Sequence, residues 1–147
     1  MYKRILVTLD GSKHAEEVLP HVRALANCTG AEVVLLRVIV YPHYDFIVGD
    51  PMIAEAAHDA AQAEAKEYME QAVANLSKTG LEVKGEVAEG LVADTIIDFA
   101  EKVQADLIAM STHGRSGPAR WLVGSVADKV VRGATVPVLL VRPIAKR

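Results

Sequence analysis

The residues with the clearest chemistry lie in the stretch MSTHGRSGPARWLVGSVADKV, where nine residues separate Gly114 from Gly124 and Ser125. A glycine has no Cβ, so its backbone can approach a ligand closely. The first N–H groups of a helix, together with the positive end of the helix dipole, attract anions. The stretch therefore predicts either a phosphate-binding loop or a glycine-rich turn between a strand and a helix.

The common phosphate-binding fingerprints do not occur in this sequence. There is no GxxxxGK[ST] pattern, because no lysine follows the glycines, and no GxGxxG follows the first apolar run. These observations argue against a Walker-type nucleotide hydrolase and against a dinucleotide-binding dehydrogenase. The run Ser125–Asp128 fits a capping box, which predicts that a helix begins at Ser125 and directs its N–H groups at a ligand.

Asp10 is the acidic candidate, and it ends the first apolar run. Its carboxylate could accept a hydrogen bond from a ribose hydroxyl or an adenine amino group, help to hold a divalent cation, or simply cap a helix. His113 has no acid beside it, so we place it in the binding site without a catalytic role. Arg115 and Arg120 are secondary candidates for phosphate contacts. The long connection Val40–Pro51 carries a polar cluster that either binds a ligand or is an ordinary surface loop: His43, Tyr44 and Asp45.

Five short apolar runs predict the strands that must position these residues. Three are almost continuously apolar, which is typical of strands covered on both faces. Another alternates apolar and charged residues, and the last contains Pro137, so these two fit the edges of a sheet. In chain order the predicted strands are Arg4–Leu9, Glu32–Val40, Leu81–Ala88, Asp106–Ser111 and Val136–Arg142.

Helical patterns alternate with the strands. Apolar residues at 3.6-residue spacing predict one helix from Ser12, bent at Pro20, and a long alanine-rich helix from Pro51 that ends at Gly80. This alternation predicts an α/β fold with a parallel sheet. Two shorter helices complete the pattern, Val92–Gln104 and Ser125–Gly133.

These elements predict a single doubly wound five-stranded parallel sheet of order 3-2-1-4-5, with helices on both faces. Strands 1 and 4 are neighbours in that order, and the chain leaves them towards opposite sides. A crevice therefore opens at their carboxyl ends, where ligands of such sheets bind. The loops LDGS and STHGRSG face each other across this crevice. Their placement favours a binding loop over a mere turn.

Length and composition limit the remaining possibilities. Residues 1–147 are most simply one domain, and 51% apolar with 5% aromatic residues predict a core of Val, Ile, Leu and Ala. A net charge of −3, with both signs interspersed, predicts no nucleic-acid partner. The apolar runs are too short to span a bilayer, the start MYKRILVTLD has no signal-peptide pattern, and a single cysteine, Cys28, excludes an internal disulfide. We expect a cytoplasmic protein.

Four segments, ILVTLDGS, LLRVIV, MSTHGRSGPARWLVGSVADKVV and VPVLLVR, together resemble the universal stress protein family over essentially the whole chain. The resemblance implies a five-stranded α/β fold, homodimers and, in one branch of the family, binding of ATP. That branch carries a Gly-x-x-Gly, nine residues, Gly-Ser/Thr pattern. This sequence departs from it at Ser111, which replaces the first glycine. A serine is small and can still present its amide, so we expect binding to persist.

The same resemblance implies which residues would hold an adenine nucleotide. Thr8, Leu9 and Asp10 would line the adenosine side, and the backbone of Val38 would read the adenine edge. The phosphates could carry Mg²⁺ or Mn²⁺. Two further residues would lie against base and ribose, and four would hold the phosphates: Met110 and Ser111, then Gly114, Gly124, Ser125 and Val126.

The leading interpretation is a stress-response regulatory protein that binds ATP or a related nucleotide such as AMP, ADP or cyclic AMP. A slow ATP hydrolase is the second interpretation, but the sequence places no general base beside the phosphates. A nucleotide-free dimeric interaction protein is the third, and the surviving glycine pattern argues against it.

The last strand predicts a homodimer. Val136–Arg142 is apolar at consecutive positions yet lies at a sheet edge, where exposed backbone groups and apolar side chains invite pairing. Two copies related by a twofold axis would cover both edges with the same surface. The alternative is that a helix or the long connection shields the strand within one chain.

Overall fold

The computed structural model describes residues 1–40, 50–113 and 123–144. Within these ranges a strand forms at each of the predicted runs, and its ends lie within two residues of the prediction. The last strand starts only after Pro137, which has no N–H to give to a neighbouring strand. The strands are β1 (Arg4–Thr8), β2 (Glu32–Ile39), β3 (Val83–Glu89), β4 (Leu107–Ser111) and β5 (Val138–Val141).

The strands form one parallel sheet in the order β3-β2-β1-β4-β5. β1 lies at the centre, where Thr8 is opposite Leu36 of β2 and Val7 is opposite Ala109 of β4. This arrangement confirms the predicted order and the two predicted edge strands. The carboxyl ends of β1 and β4 therefore lie side by side, at the point where the winding of the sheet reverses.

Helices occupy the connections between the strands, as the periodicity predicts. Among the described residues, no helix combines the length and apolarity needed to cross a membrane. The helices are α1 (Lys13–Glu16), α2 (Leu19–Thr29), α3 (Pro51–Ser77), α4 (Val92–Lys102) and α5 (Ser125–Gly133).

The prediction of one bent helix after β1 was wrong. The chain forms α1 and then α2, with Glu17 and Val18 between them, and Pro20 lies in the first turn of α2. Inside a helix a proline removes a hydrogen bond and clashes with the preceding turn, whereas in the first turn its missing N–H has no partner to lose. The proline therefore starts a second helix.

One predicted helix cap and two predicted helix ends also differ, and α4 ends at Lys102 instead of Gln104. The capping box at Ser125 was wrong, because Gly124 is the N-cap of α5, no side chain caps it, and Ser125 is already the first helical residue. The predicted start of the helix is nevertheless confirmed. At its other end, α3 stops at Ser77, and Gly80 adopts a φ of 89° in the turn that follows. That left-handed conformation suits a glycine.

Helices cover both faces of the sheet. Successive strand residues point to opposite faces, so Ile5 and Val7 pack beneath α2 and α3, whereas Leu6 packs beneath α4 and α5. The helices supply the matching apolar side chains, Val22, Ala26, Met69 and Leu76 on the first face and Ala93, Ile96, Ala127 and Val130 on the second. The two packed layers hold the strand ends in place, so the residues at the carboxyl edge have fixed positions.

Candidate functional site

A cavity of about 470 Å³ opens at the carboxyl ends of β1, β2 and β4 and at the start of α5. Its volume is in the range of small-molecule sites. Every predicted site residue that the structure describes lines this cavity: Thr8, Leu9, Asp10, Val38, Met110, Ser111, His113, Gly124, Ser125 and Val126. The remaining predicted residues, Gly114 and Arg115, lie outside the described residues, as do Arg120, His43, Tyr44 and Asp45.

The turn after β1 holds Asp10 at the cavity wall. The Asp10 Oδ1 accepts a hydrogen bond from the N–H of Ser12 at 2.9 Å, and Gly11 between them has a φ of 87°. The cap of α1 is the Ser12 hydroxyl, which accepts from the N–H of Ala15 at 3.1 Å. Asp10 therefore fixes a turn rather than capping the helix, and its carboxylate is an acceptor at the end of the central strand.

The backbone of Val38 faces the side where β1 ends. The N–H of Leu9 donates to the carbonyl of Leu36 at 2.9 Å, and the N–H of Gly90 donates to the carbonyl of Ile39 at 3.1 Å on the opposite side. Alternate residues of a strand direct their backbone groups to the same neighbour, so Val38 directs its N–H and C=O as Leu36 does. Because β1 ends at Thr8, these groups lie beside the cavity rather than within a strand pair.

A buried polar segment, Ser111–His113, forms the wall at the end of β4. The Ser111 hydroxyl donates to the carbonyl of His113 at 2.8 Å. The N–H of Thr112 donates to the carbonyl of Val141 in β5 at 2.9 Å. The segment is therefore held both by its own side chain and by the neighbouring strand, which keeps this wall of the cavity in one conformation.

Gly124 joins the polar segment to α5 by a close backbone contact. Its N–H donates to the carbonyl of Thr112 at 2.8 Å, and a Cβ added at Gly124 would lie 2.5 Å from that same oxygen. A backbone oxygen cannot move aside as the end of a flexible side chain can. Any larger residue at this position would therefore separate the start of α5 from the end of β4.

The first turn of α5 lines the cavity with backbone donors. The N–H of Asp128 donates to the carbonyl of Gly124 at 2.9 Å, so intrahelical bonding starts there. The preceding N–H groups, those of Ser125, Val126 and Ala127, have no acceptor inside the helix. All three residues line the cavity. They give this wall the partial positive charge that attracts anions.

The sequence analysis missed two charged residues of the cavity wall, Arg37 and Glu64. The guanidinium of Arg37 is buried, and its two terminal nitrogens bond the two carboxylate oxygens of Glu64 at 3.2 and 2.8 Å. Glu64 lies in α3, and its side chain is 59% exposed. An arginine within the apolar run LLRVI was a sequence signal for such a role, because a buried arginine needs a partner.

Tyr68 completes this group behind the cavity wall. The Arg37 guanidinium carbon lies 5.2 Å from the centre of the Tyr68 ring, within the range of a cation–π contact. Burial raises the pKa of Tyr68 above its ordinary value, and the negative charge of Glu16 acts in the same direction. The Tyr68 hydroxyl is buried without a hydrogen-bond partner within bonding distance among the described residues. The phenol therefore stays neutral at physiological pH.

No group of three or more His, Cys, Asp or Glu side chains that could hold a metal ion occurs among residues 1–40, 50–113 and 123–144. The cavity instead has the Asp10 carboxylate and the Val38 backbone N–H and C=O on one side. The N–H groups of the first turn of α5 lie on the other side. This arrangement suits a ligand with one end that forms hydrogen bonds and another end that is anionic.

The chain matches the model of the universal stress protein family over residues 1–142. It is 36% identical to universal stress protein MJ0531 of Methanocaldococcus jannaschii over 146 residues, which cover 97% of this chain and 83% of that protein.

Solved structures agree with this match. The structure of hypothetical protein MJ0577, the name of a universal stress protein of the same organism, has a TM-score of 0.87 at 32% identity and covers 99% of both chains. A universal stress protein from Archaeoglobus fulgidus, solved in complex with dAMP, has a TM-score of 0.65 at 27% identity and covers 95% of this chain and 97% of that chain. On the family match, the sequence identity and the structural similarity, this chain belongs to the universal stress protein family.

Proposed function

We propose that the protein binds an adenine nucleotide in the cavity at the carboxyl ends of β1 and β4, as a stress-response regulatory protein. The observation that carries the proposal is the opposition of Asp10 and the Val38 backbone to Gly124 and the first turn of α5 around one cavity. The dAMP complex of the Archaeoglobus fulgidus relative supports the same ligand class. A cytoplasmic location stays a prediction.

The two sides of the cavity suit different parts of the nucleotide. The Val38 N–H and C=O match the adjacent acceptor and donor on the edge of an adenine ring, and the Asp10 carboxylate can accept from ribose hydroxyls. Thr8, Leu9, Met110 and Ser111 complete the adenosine side. The phosphates would then lie at Gly124, Ser125 and Val126, where helix N–H groups favour negative charge.

The proposal covers ATP, ADP, AMP and cyclic AMP, since all four share the adenosine and at least one phosphate. Any Mg²⁺ or Mn²⁺ would depend mainly on the phosphate oxygens of the ligand. Binding is the proposed function. A regulatory partner would respond to whether the cavity holds a nucleotide.

Another depression, of about 770 Å³, lies between α3 and β3. Its lining comes from those two elements alone and includes no glycine-to-helix junction and no helix N-terminus. Adenine nucleotides are therefore assigned to the cavity at the strand ends.

The Gly124→Val variant tests the assignment. The new side chain would collide with the carbonyl of Thr112 and separate α5 from β4, so we expect AMP and ATP affinity to fall at least tenfold in calorimetric titrations. Gly133→Ala, at the far end of α5, is the control for substituting a glycine in this helix, because the added Cβ would meet only the movable end of the Ile97 side chain. Equal nucleotide affinity in Gly124→Val and wild type would refute the site, provided that circular dichroism shows both to be folded.

A further inference from the structure

His113 has incomplete hydrogen bonding inside the cavity wall. Its side chain is only 6% exposed, and its Nδ1 lies 3.0 Å from the hydroxyl oxygen of Thr112. Its Nε2 is buried with no hydrogen-bond partner among the described residues. A buried polar atom without a partner is costly and uncommon in folded proteins. Because His113 lines the cavity, a ligand there can supply the missing partner.

The surroundings of His113 hold its backbone in place. Its own carbonyl accepts from the Ser111 hydroxyl, and Thr112 is bonded through its N–H to Val141 and through its carbonyl to Gly124. The residue thus sits between the end of β4 and the first turn of α5, on the anion-attracting side of the cavity. A donor held in place before binding loses little freedom when the ligand arrives.

The contact with Thr112 allows two forms of the neutral ring. If the hydroxyl donates to Nδ1, the ring proton is on Nε2, and Nε2 is a donor. If Nδ1–H donates to the hydroxyl, Nε2 is an acceptor. A phosphate oxygen is an acceptor, so only a ring that carries a proton on Nε2 can bond it.

We propose that the His113 Nε2–H donates a hydrogen bond to a phosphate oxygen of the bound nucleotide, while the Thr112 hydroxyl donates to Nδ1 and so keeps the ring proton on Nε2. The inference rests on the proposed adenine-nucleotide site, and it adds a residue that helps this site to distinguish a nucleotide from a nucleoside. His113 adds to the preference of the site for nucleotides over nucleosides, and Thr112 is a positioning residue that acts through His113.

Paired variants of His113 test this role by calorimetric titration with AMP and with adenosine. The amide nitrogen of Gln reaches the place of Nε2, whereas that of Asn reaches only the place of Nδ1. We expect His113→Asn to lose AMP affinity by about ten- to hundredfold, the range for a hydrogen bond to a charged group, while adenosine affinity changes little. His113→Gln should keep most of the AMP affinity.

Thr112 provides the matched second pair. Thr112→Val removes the hydroxyl at nearly constant shape and should weaken AMP binding without affecting adenosine, whereas Thr112→Ser should behave as wild type. In wild type, long-range ¹H–¹⁵N spectra of His113 should show the proton on Nε2 and a shift of that nitrogen when AMP, but not adenosine, is added.

The outcomes separate the two proposals. If wild type binds AMP but His113→Asn binds it equally well, or loses AMP and adenosine affinity alike, the role of His113 is refuted and the site stands. If wild type binds none of ATP, ADP, AMP, cyclic AMP and adenosine, the proposed function fails, and the role of His113 fails with it. An unshifted Nε2 signal on saturation with AMP also overturns the hydrogen bond.

Discussion

Ser111 occupies the position of the first glycine in the family pattern, and its hydroxyl is used inside the fold. It donates to the carbonyl of His113 at 2.8 Å within a buried segment. From the sequence, a serine was expected to be tolerated because it is small and can still present its amide. The hydrogen bond gives it a second role, because it holds the segment that carries His113.

We expect Ser111→Ala to lower the free energy of unfolding by about 1–2 kcal/mol, since the buried carbonyl of His113 loses its partner. Urea denaturation would measure the change. Ser125→Ala is the control, because Ser125 also lines the cavity but lies one position beyond the N-cap of α5. A similar loss in both variants would contradict a specific role for the Ser111 hydroxyl.

The strand β2 and the helix α3 are joined at the cavity wall by the ion pair of Arg37 and Glu64. The apolar packing of α3 on the sheet does not by itself fix the position of the helix along the strand. The bidentate contact does, because two parallel hydrogen bonds define an orientation as well as a distance. The pair therefore contributes to the shape of the cavity wall next to Val38.

Removing the carboxylate would leave the Arg37 guanidinium buried without this partner. We expect Glu64→Gln to lower the free energy of unfolding by about 1–2 kcal/mol, less than for a fully buried pair because Glu64 is largely exposed to water. Denaturant unfolding of the single and double variants would measure the coupling. With Arg37→Met as the background, Glu64→Gln should cost little, and an equal cost in both backgrounds would argue against the ion pair.

The two edge strands of the sheet, β3 and β5, differ in the polarity of their residues. The exposed positions of β3 carry Lys84 and Glu86, and charges of this kind discourage edge-to-edge pairing. β5 instead has the sequence VLLV, and Ile144 beyond it is exposed. The contrast supports the predicted homodimer through the strand predicted at Val136–Arg142, which stays a prediction.

The hydrogen-bond pattern of β5 suggests a test of this dimer by a substitution that removes a backbone donor. The carbonyls of Pro137 and Val141 accept from β4, so the backbone groups of Leu140 face the open edge. Leu140→Pro removes an outward N–H, which an edge strand tolerates, and it also replaces a side chain that packs partly against the core. We expect it to be a folded monomer in sedimentation equilibrium at micromolar concentration.

Leu140→Ala is the matched control, because it shortens the same side chain but keeps the N–H. We expect it to remain a dimer. A monomeric wild type, or a dimeric Leu140→Pro variant, would contradict pairing through β5.

The sequence by itself determined the strands, the helices and their order, because hydrophobic periodicity is local and each element buries one face or two. The sheet order then followed from the edge strands and the handedness of the crossovers, and it placed Asp10 opposite Gly124. The family resemblance added the assignment of residues to adenosine and phosphate. Two local details were wrong, the single bent helix at Pro20 and the cap at Ser125. The apolar spacing of a helix does not show whether the helix is interrupted at a proline, or which of two neighbouring residues is its cap.

Only the tertiary structure decided what depends on contacts between distant segments. The cap of α5 is Gly124 because its N–H meets the carbonyl of Thr112 across the gap between helix and strand. Glu64 is the partner of Arg37 because α3 packs over β2, and no spacing distinguishes it from the other acidic residues of that helix. The unpartnered Nε2 of His113 is a property of its buried surroundings. Hydrogen bonding and desolvation act over a few ångströms in space, so residues far apart in sequence reveal these relations only once the chain is folded.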